Sequence, residues 1–229
     1  MYTNRMSKNH DAWEQRKFNY LLTAKDGIRR GPFGSSLKKD FFVKNGQYAV
    51  YEQKNAIYDN YEVRYEISAD RFNKLKSFEL KPGDYILSGA GTIGKISRVP
   101  NGIKKGVFNQ ALIRIRINHD LVNDIYFLEF MRSESMQRKL TSTNPGSAIT
   151  NLVPMKTVKD FEVSVPKIEE QKKVGLFLVT VSNLITANQR QHKSHPSSTE
   201  SGIFSSLYQT CQMLHHFIII LVLQLLDYV

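Results

Sequence analysis

The chain has 229 residues, is 41% hydrophobic and carries a formal net charge of +11, which suits one packed domain with an extension. A single cysteine, Cys211, excludes an intrachain disulfide and a multi-cysteine zinc site. The excess of lysine and arginine predicts attraction to a polyanion, nucleic acid before an anionic membrane face.

The opening residues, MYTNRMSKNHDAWEQRKF, lack the apolar stretch of a secretory signal, so a cytoplasmic protein is expected. Residues 12–24 read as a short helix or strand leading into the domain. Arg29 to Lys39, RRGPFGSSLKK, is a basic glycine–proline loop. From Gln47 to Tyr85 the chain is rich in Tyr, Val, Ile and Phe, which predicts several short strands. Lys81-Pro82-Gly83-Asp84 is a tight turn before the strand Tyr85–Leu87. Ala111 to Ile117 alternates apolar and basic residues, which predicts a half-buried strand with Arg114 and Arg116 on its polar face. Asp124 to Leu140 has the spacing of an amphipathic helix. A strand is expected over Phe161–Val165, and a second helix from Ile168. In that helix Val174, Leu178, Val181 and Ile185 are spaced as a heptad seam, short enough that a plain amphipathic core helix fits too. After Gln191 the composition changes abruptly: residues 192–229 carry one lysine and two acids. The break marks either a shifted reading frame or a distinct tail. Its apolar run, Phe217 to Leu226, is half the length that spans a bilayer.

The stretch GDYILSGAGTIGKIS, Gly83 to Ser97, holds a Gly89-x-Gly91-x-x-Gly94 pattern and a near phosphate loop, Gly89-x-x-x-x-Gly94-Lys95. Ile96 stands where the magnesium-binding hydroxyl belongs. KISRVPNG reads as a short strand ending in a turn, whereas an anion site needs a helix there. Two strands joined by a glycine turn are therefore expected. No G-x-S-x-G elbow or H-E-x-x-H motif is present. Asp40 with Glu52-x-Lys54 has the loose spacing of a magnesium-dependent nuclease site; solvated charges explain it as well. His192, His195, His215, His216 and Cys211 match no zinc spacing.

The basic residues carry more. Arg29, Arg30, Lys38 and Lys39 flank a Gly-Pro-Phe-Gly-Ser-Ser loop with Ser35 and Ser36, Lys104 and Lys105 sit in a second turn, and Arg114 and Arg116 share a strand face. Such side chains make phosphate contacts. Ser147, Thr150 and Asn151 lie in a polar loop of the kind that contacts DNA.

Taken in order, RRGPFGSSLKK, VYEQKNAIY, ELKPGDYILSGAGTIGKISRVP, FNQALIRIR, GSAITNL and VSVPKIEEQKKV resemble the DNA-specificity subunit of type I restriction–modification systems, over about residues 10–191. The resemblance implies an α+β fold: a mixed or antiparallel, β-rich target recognition domain followed by a coiled-coil-type spacer helix. It implies domain bounds of 1–166 and a spacer or dimerisation helix over 167–191, whereas the atypical hydrophobic tail over 192–229 departs from the family pattern. It implies a non-catalytic protein without cofactor or metal that reads half of a split DNA target. The implied partners are double-stranded DNA, methyltransferase subunits and a motor-nuclease subunit, with either self-association or pairing with a second specificity half through the Val174, Leu178, Val181, Ile185 seam. A stand-alone magnesium nuclease using Asp40, Glu52 and Lys54, and a basic membrane-surface protein anchored by its apolar tail, are the alternatives.

Overall fold

Two strands of four residues each, Tyr85–Ser88 and Leu112–Ile115, are buried along their whole length, and the rest of the molecule is layered on them. A computed structural model describes residues 13–143 and 150–193. In chain order, β1 (Glu14–Lys17) and a 3-10 turn over Phe18–Leu21 lead to β2 (Ile28–Arg30), β3 (Phe42–Val43) and β4 (Tyr48–Tyr51). Then come α1 (Gln53–Tyr58), β5 (Tyr65–Ile67), α2 (Ala69–Lys74), β6 (Glu79–Leu80), β7 (Tyr85–Ser88), β8 (Ile96–Arg98), β9 (Gly106–Phe108) and β10 (Leu112–Ile115). The chain continues through α3 (Asp124–Arg132), α4 (Glu134–Leu140), β11 (Thr141–Thr143), β12 (Thr150–Leu152), α5 (Met155–Asp160), β13 (Glu162–Val165) and α6 (Ile168–Lys193).

A four-stranded antiparallel sheet has the order β2-β10-β7-β8, and a five-stranded sheet the order β3-β5-β4-β9-β6, with β4 and β9 parallel. β1 pairs with β13, and β11 with β12. The two-residue period of a strand sorts the side chains of the four-stranded sheet. Tyr85, Leu87, Ile113 and Ile115 face a core with Phe18, Tyr126, Phe127, Met131 and Val158 from α3, α5 and the 3-10 turn. Ile86 and Leu112 face the other way, onto Tyr51, Leu80 and Phe108 of the second sheet. The fold is therefore α+β, with helices on one side of the first sheet and the second sheet on the other.

Several sequence expectations need local correction. The Gln47–Tyr85 run contains its strands but also α1 and α2, each six residues long. Ser68 starts α2, its hydroxyl accepting from the Arg71 amide at 3.4 Å. The helix expected over 124–140 is two helices. Ser133 ends α3 and starts α4, because its hydroxyl donates to the Phe130 carbonyl (2.7 Å) and accepts from the Met136 amide (3.3 Å).

Helix α6 corrects the expected seam. Gln171 is fully buried: it donates to the carbonyls of Leu121 (3.0 Å) and Pro166 (2.9 Å) and accepts from the Asn123 amide (2.9 Å). One turn on, Gly175 lies against Asn123 and Ile125 of the α3 start. Leu178 is 4% exposed, and Val174 packs on the helix-side core. The first half of the seam thus faces its own domain, with Leu178 buried and Val174 half-buried. Val181 is half-buried, and the Ile185 side chain lies outside the described set. Among the described side chains of α6, Leu176 and Phe177 are the large apolar ones exposed to solvent.

Candidate nucleic-acid interface

Strand polarity gathers four connections at one end of the molecule. Arg30 ends β2 opposite Ile113, near the start of β10. Ser88 ends β7 opposite Leu112, and Leu87 lies opposite Ile96 at the start of β8. Loops 31–36, 89–95 and 109–111 therefore leave the sheet side by side. The end of β4 joins them, since the Asn109 amide donates to the Tyr51 carbonyl at 2.9 Å. Arg30 stitches the loops together through the carbonyls of Gly89 (3.1 Å) and Gln110 (3.4 Å). Gln53, at the head of α1, donates to the carbonyls of Ala90 and Thr92. Gly31 is held by the Leu112 carbonyl at 2.9 Å and lies so close to the next loop that a Cβ on it would sit 1.9 Å from the Asn109 carbonyl oxygen.

The glycine turn itself is closed. Ser88 takes the Gly94 amide on its carbonyl (3.0 Å) and the Lys95 amide on its hydroxyl (2.9 Å), and the Gly89 amide goes to Ala111 (2.8 Å). Those are donors a bound phosphate would need. β8 follows the turn, as the strand–turn–strand reading expected, so this is not a nucleotide loop. Gly94 adopts φ +85°, with the Gln137 side chain packed where its Cβ would be.

Charge at this end is left open. Arg30 meets only carbonyls, and neither Lys54 nor Lys95 has a carboxylate partner among the described residues. Glu52, the nearby acid, starts α1: its amide donates to the Asn55 side chain at 2.6 Å and its carbonyl accepts from the Asn55 amide at 2.9 Å. No group of three His, Cys, Asp or Glu among the described residues could hold a metal ion.

The candidates named from sequence separate into distinct places. Arg30 and Ser35 are exposed at the loop end, and Ser36 is half-buried beside them. Lys38 and Lys39 are exposed and unpaired among the described residues, but they lie beyond Leu37, which packs on the Val50–Phe72 core. Lys104 and Lys105 precede β9 at the opposite end and are paired with Glu66 and with Glu79 (3.5 Å). The pair Arg114 and Arg116 is a correction. They do share a face, but the second sheet covers it. Arg114 is 1% exposed, donates to the carbonyls of Ser77 (3.1 Å) and Glu79 (2.9 Å) and pairs with Asp26. Arg116 pairs with Asp84 at 2.7 Å and Asp26 at 3.1 Å. Arg29 faces the same layer and pairs with Asp26 at 2.6 Å. These arginines hold the two sheets together and are not free for a phosphate. Thr150 and Asn151 lie on β12 opposite Thr143 and Ser142, whereas Ser147 and the tail histidines and cysteine lie outside the described residues. So does the apolar run 217–226; no helix among the described residues is long and apolar enough to cross a membrane.

Sequence reasoning missed Phe33, Gln53, Lys95 and Gln110 as members of this surface. Phe33 and Lys95 stood inside motifs already singled out. Gln53 and Gln110 stood in VYEQKNAIY and FNQALIRIR, but the strand pairing is what brings them to this end.

Residues 31–194 match the family model described as the type I restriction modification DNA specificity domain. Two solved structures share the fold. One is a chain from work on the complex assembly and conformational transition of a type I R-M system: 13% identity, TM-score 0.59, covering 95% of this chain and 47% of that one. The other is the HsdS subunit of Thermoanaerobacter tengcongensis: 15% identity, TM-score 0.55, covering 92% of this chain and 46% of that one. The chain thus spans about half the length of the solved chains it matches. A comparison with curated proteins gives no match.

Proposed function

The chain belongs to the type I restriction modification DNA specificity domain family, and from that premise we propose that it is a non-catalytic, sequence-specific DNA-binding module, acting in the cytoplasm, that directs a type I restriction–modification complex to its target. The carrying observation is the loop end, where Arg30, Lys54 and Lys95 have no carboxylate partner among the described residues and Ser35, Thr92 and Gln110 are exposed. Unpaired cations beside hydrogen-bonding side chains supply both parts of DNA recognition, phosphate positioning and base readout. Lys38 and Lys39 extend the positive surface along the same segment.

The partners under this reading are double-stranded DNA, methyltransferase subunits, a motor-nuclease subunit and a second specificity half. The second half meets α6 through its outer face at Leu176 and Phe177, since Val174 and Leu178 are occupied by the domain. One recognition domain then reads one half of a split site.

The test is co-expression with the methyltransferase subunits of its own system, followed by mapping of methylated bases. A split motif should be modified with the native chain and unmodified when Arg30 and Lys95 are both changed to Glu. Equal modification by both chains would remove the loop end from the reading. Magnesium-dependent cleavage by the purified chain alone would replace it with the nuclease alternative.

A further inference from the structure

We propose that Phe33 is a specificity-determining residue that makes an apolar contact with a nucleobase of the target; this rests on the DNA-binding reading above and names a side chain that performs it. Phe33 is 82% exposed, the most exposed large apolar side chain among the described residues. Its backbone is nevertheless pinned. Pro32 is buried, Gly31 is anchored to β10, and the Ser36 amide donates to the Phe33 carbonyl at 2.8 Å, closing a 3-10 turn directly after the ring. A ring held in water on a fixed turn forgoes burial that a small rearrangement of a loose loop would recover.

The surroundings select the partner. Arg30 precedes the turn, Ser35 follows it, and the Gln110 side chain lies by Gly34. An apolar anchor of a protein interface is surrounded by other contacts that exclude water. A lone ring among cations and hydrogen-bonding groups suits a polyanion whose only apolar elements are base faces and thymine methyls. Either element satisfies the ring chemically, and the two are separable by experiment.

The experiment selects bound duplexes from a randomised pool, using the full chain and its Phe33→Ala and Phe33→Leu variants. The wild type should enrich a motif. Phe33→Ala should keep its melting temperature, because the ring is exposed, and its salt dependence, because no phosphate contact is lost. It should lose about tenfold of its preference for the motif over bulk DNA, the scale of one mismatched base pair. Phe33→Leu should recover part of that loss. Replacing each thymine of the motif with uracil should weaken the wild type at one position and leave Phe33→Ala indifferent if the ring meets a methyl. If the ring stacks on a base face, 2-aminopurine in the motif should brighten on binding by the wild type alone. An unchanged motif with unchanged preference in Phe33→Ala overturns the proposal. So does a variant that reads DNA normally but no longer co-purifies with the methyltransferase subunits, which assigns the ring to a protein contact. A wild type that binds without selecting a motif overturns the proposal and spares DNA binding; one that does not bind at all removes the underlying reading as well.

Discussion

Asp26 and Arg114, 88 positions apart in the chain, meet carboxylate to guanidinium between the two sheets. Arg29 and Arg116 converge on the same carboxylate, so Asp26 answers three arginines, one of them fully buried. Changing Asp26 to Asn removes the carboxylate that faces the buried Arg114 guanidinium and leaves it only the Ser77 and Glu79 carbonyls. The expected loss is more than about 1 kcal/mol but short of the about 3–5 kcal/mol of a fully buried pair, because Asp26 is partly exposed; it is read from the midpoint of chemical denaturation. Asp70→Asn, which breaks an exposed pair with Lys74, should change stability by less than about 1 kcal/mol.

The same cluster sets an acid limit. Burial alone would raise the Asp26 carboxyl, but the hydrogen bond from Arg29 and the charges of Arg114, Arg29 and Arg116 outweigh it and hold its pKa below the ordinary value. A carboxyl depressed on folding stabilises the protein above its unfolded pKa, and that contribution is lost as pH falls through the folded value. Melting temperature should therefore drop as pH is lowered through and below about 4, the ordinary aspartate range. The drop should be shallower in Asp26→Asn than in the wild type.

Gly31 is a prediction about close approach. A methyl group there collides with the Asn109 carbonyl oxygen, so Gly31→Ala must push the Phe33 turn away from the 109–111 loop. We expect a loss of more than about 1 kcal/mol and weaker DNA binding together, measured by thermal denaturation and by titration with duplex.

On α6, Leu178→Ala should cost about 2–4 kcal/mol, because it opens a hole in the contact between the helix and the domain. Leu176→Ala should stay within about 0.5 kcal/mol in the monomer, since its side chain is in solvent. If instead Leu178→Ala leaves stability intact and dissolves self-association, the original heptad seam is the pairing face.

DNA affinity should fall steeply with salt, because cations that neutralise phosphates release counterions. Changing Lys38 and Lys39 to Glu should weaken binding to all duplexes alike and reduce the salt slope by roughly 2, about one per phosphate contact. A shifted sequence preference would mean that these lysines read bases.

What the sequence made legible followed from local pattern. The alternation of 111–117 marks a strand, the glycine turn marks its hairpin, and the 3.6-residue spacing marks α6. Burial of Arg114 was not legible, because the second sheet that covers it is built from β6 and β9, and a basic residue in an alternating strand ordinarily faces water. Helices α1 and α2 have six residues each, too few to show a period against a Tyr- and Val-rich background. The candidate surface was half legible. Its cations stood in basic motifs, but the meeting of Arg30 with Gln110, 80 residues apart, comes from strand polarity alone.

The pairing of β1 with β13 has a consequence for synthesis. Gln15 and Ser164 are 149 positions apart, so at about 5–20 residues per second β1 leaves the ribosome roughly 7–30 s before its strand partner exists. Through that interval the nascent chain exposes Phe18 and Leu21 without the α5 and β13 residues that share their core. The closure of the domain therefore waits until residues 162–165 have been made, and until then the emerging chain presents an apolar segment that chaperones can hold.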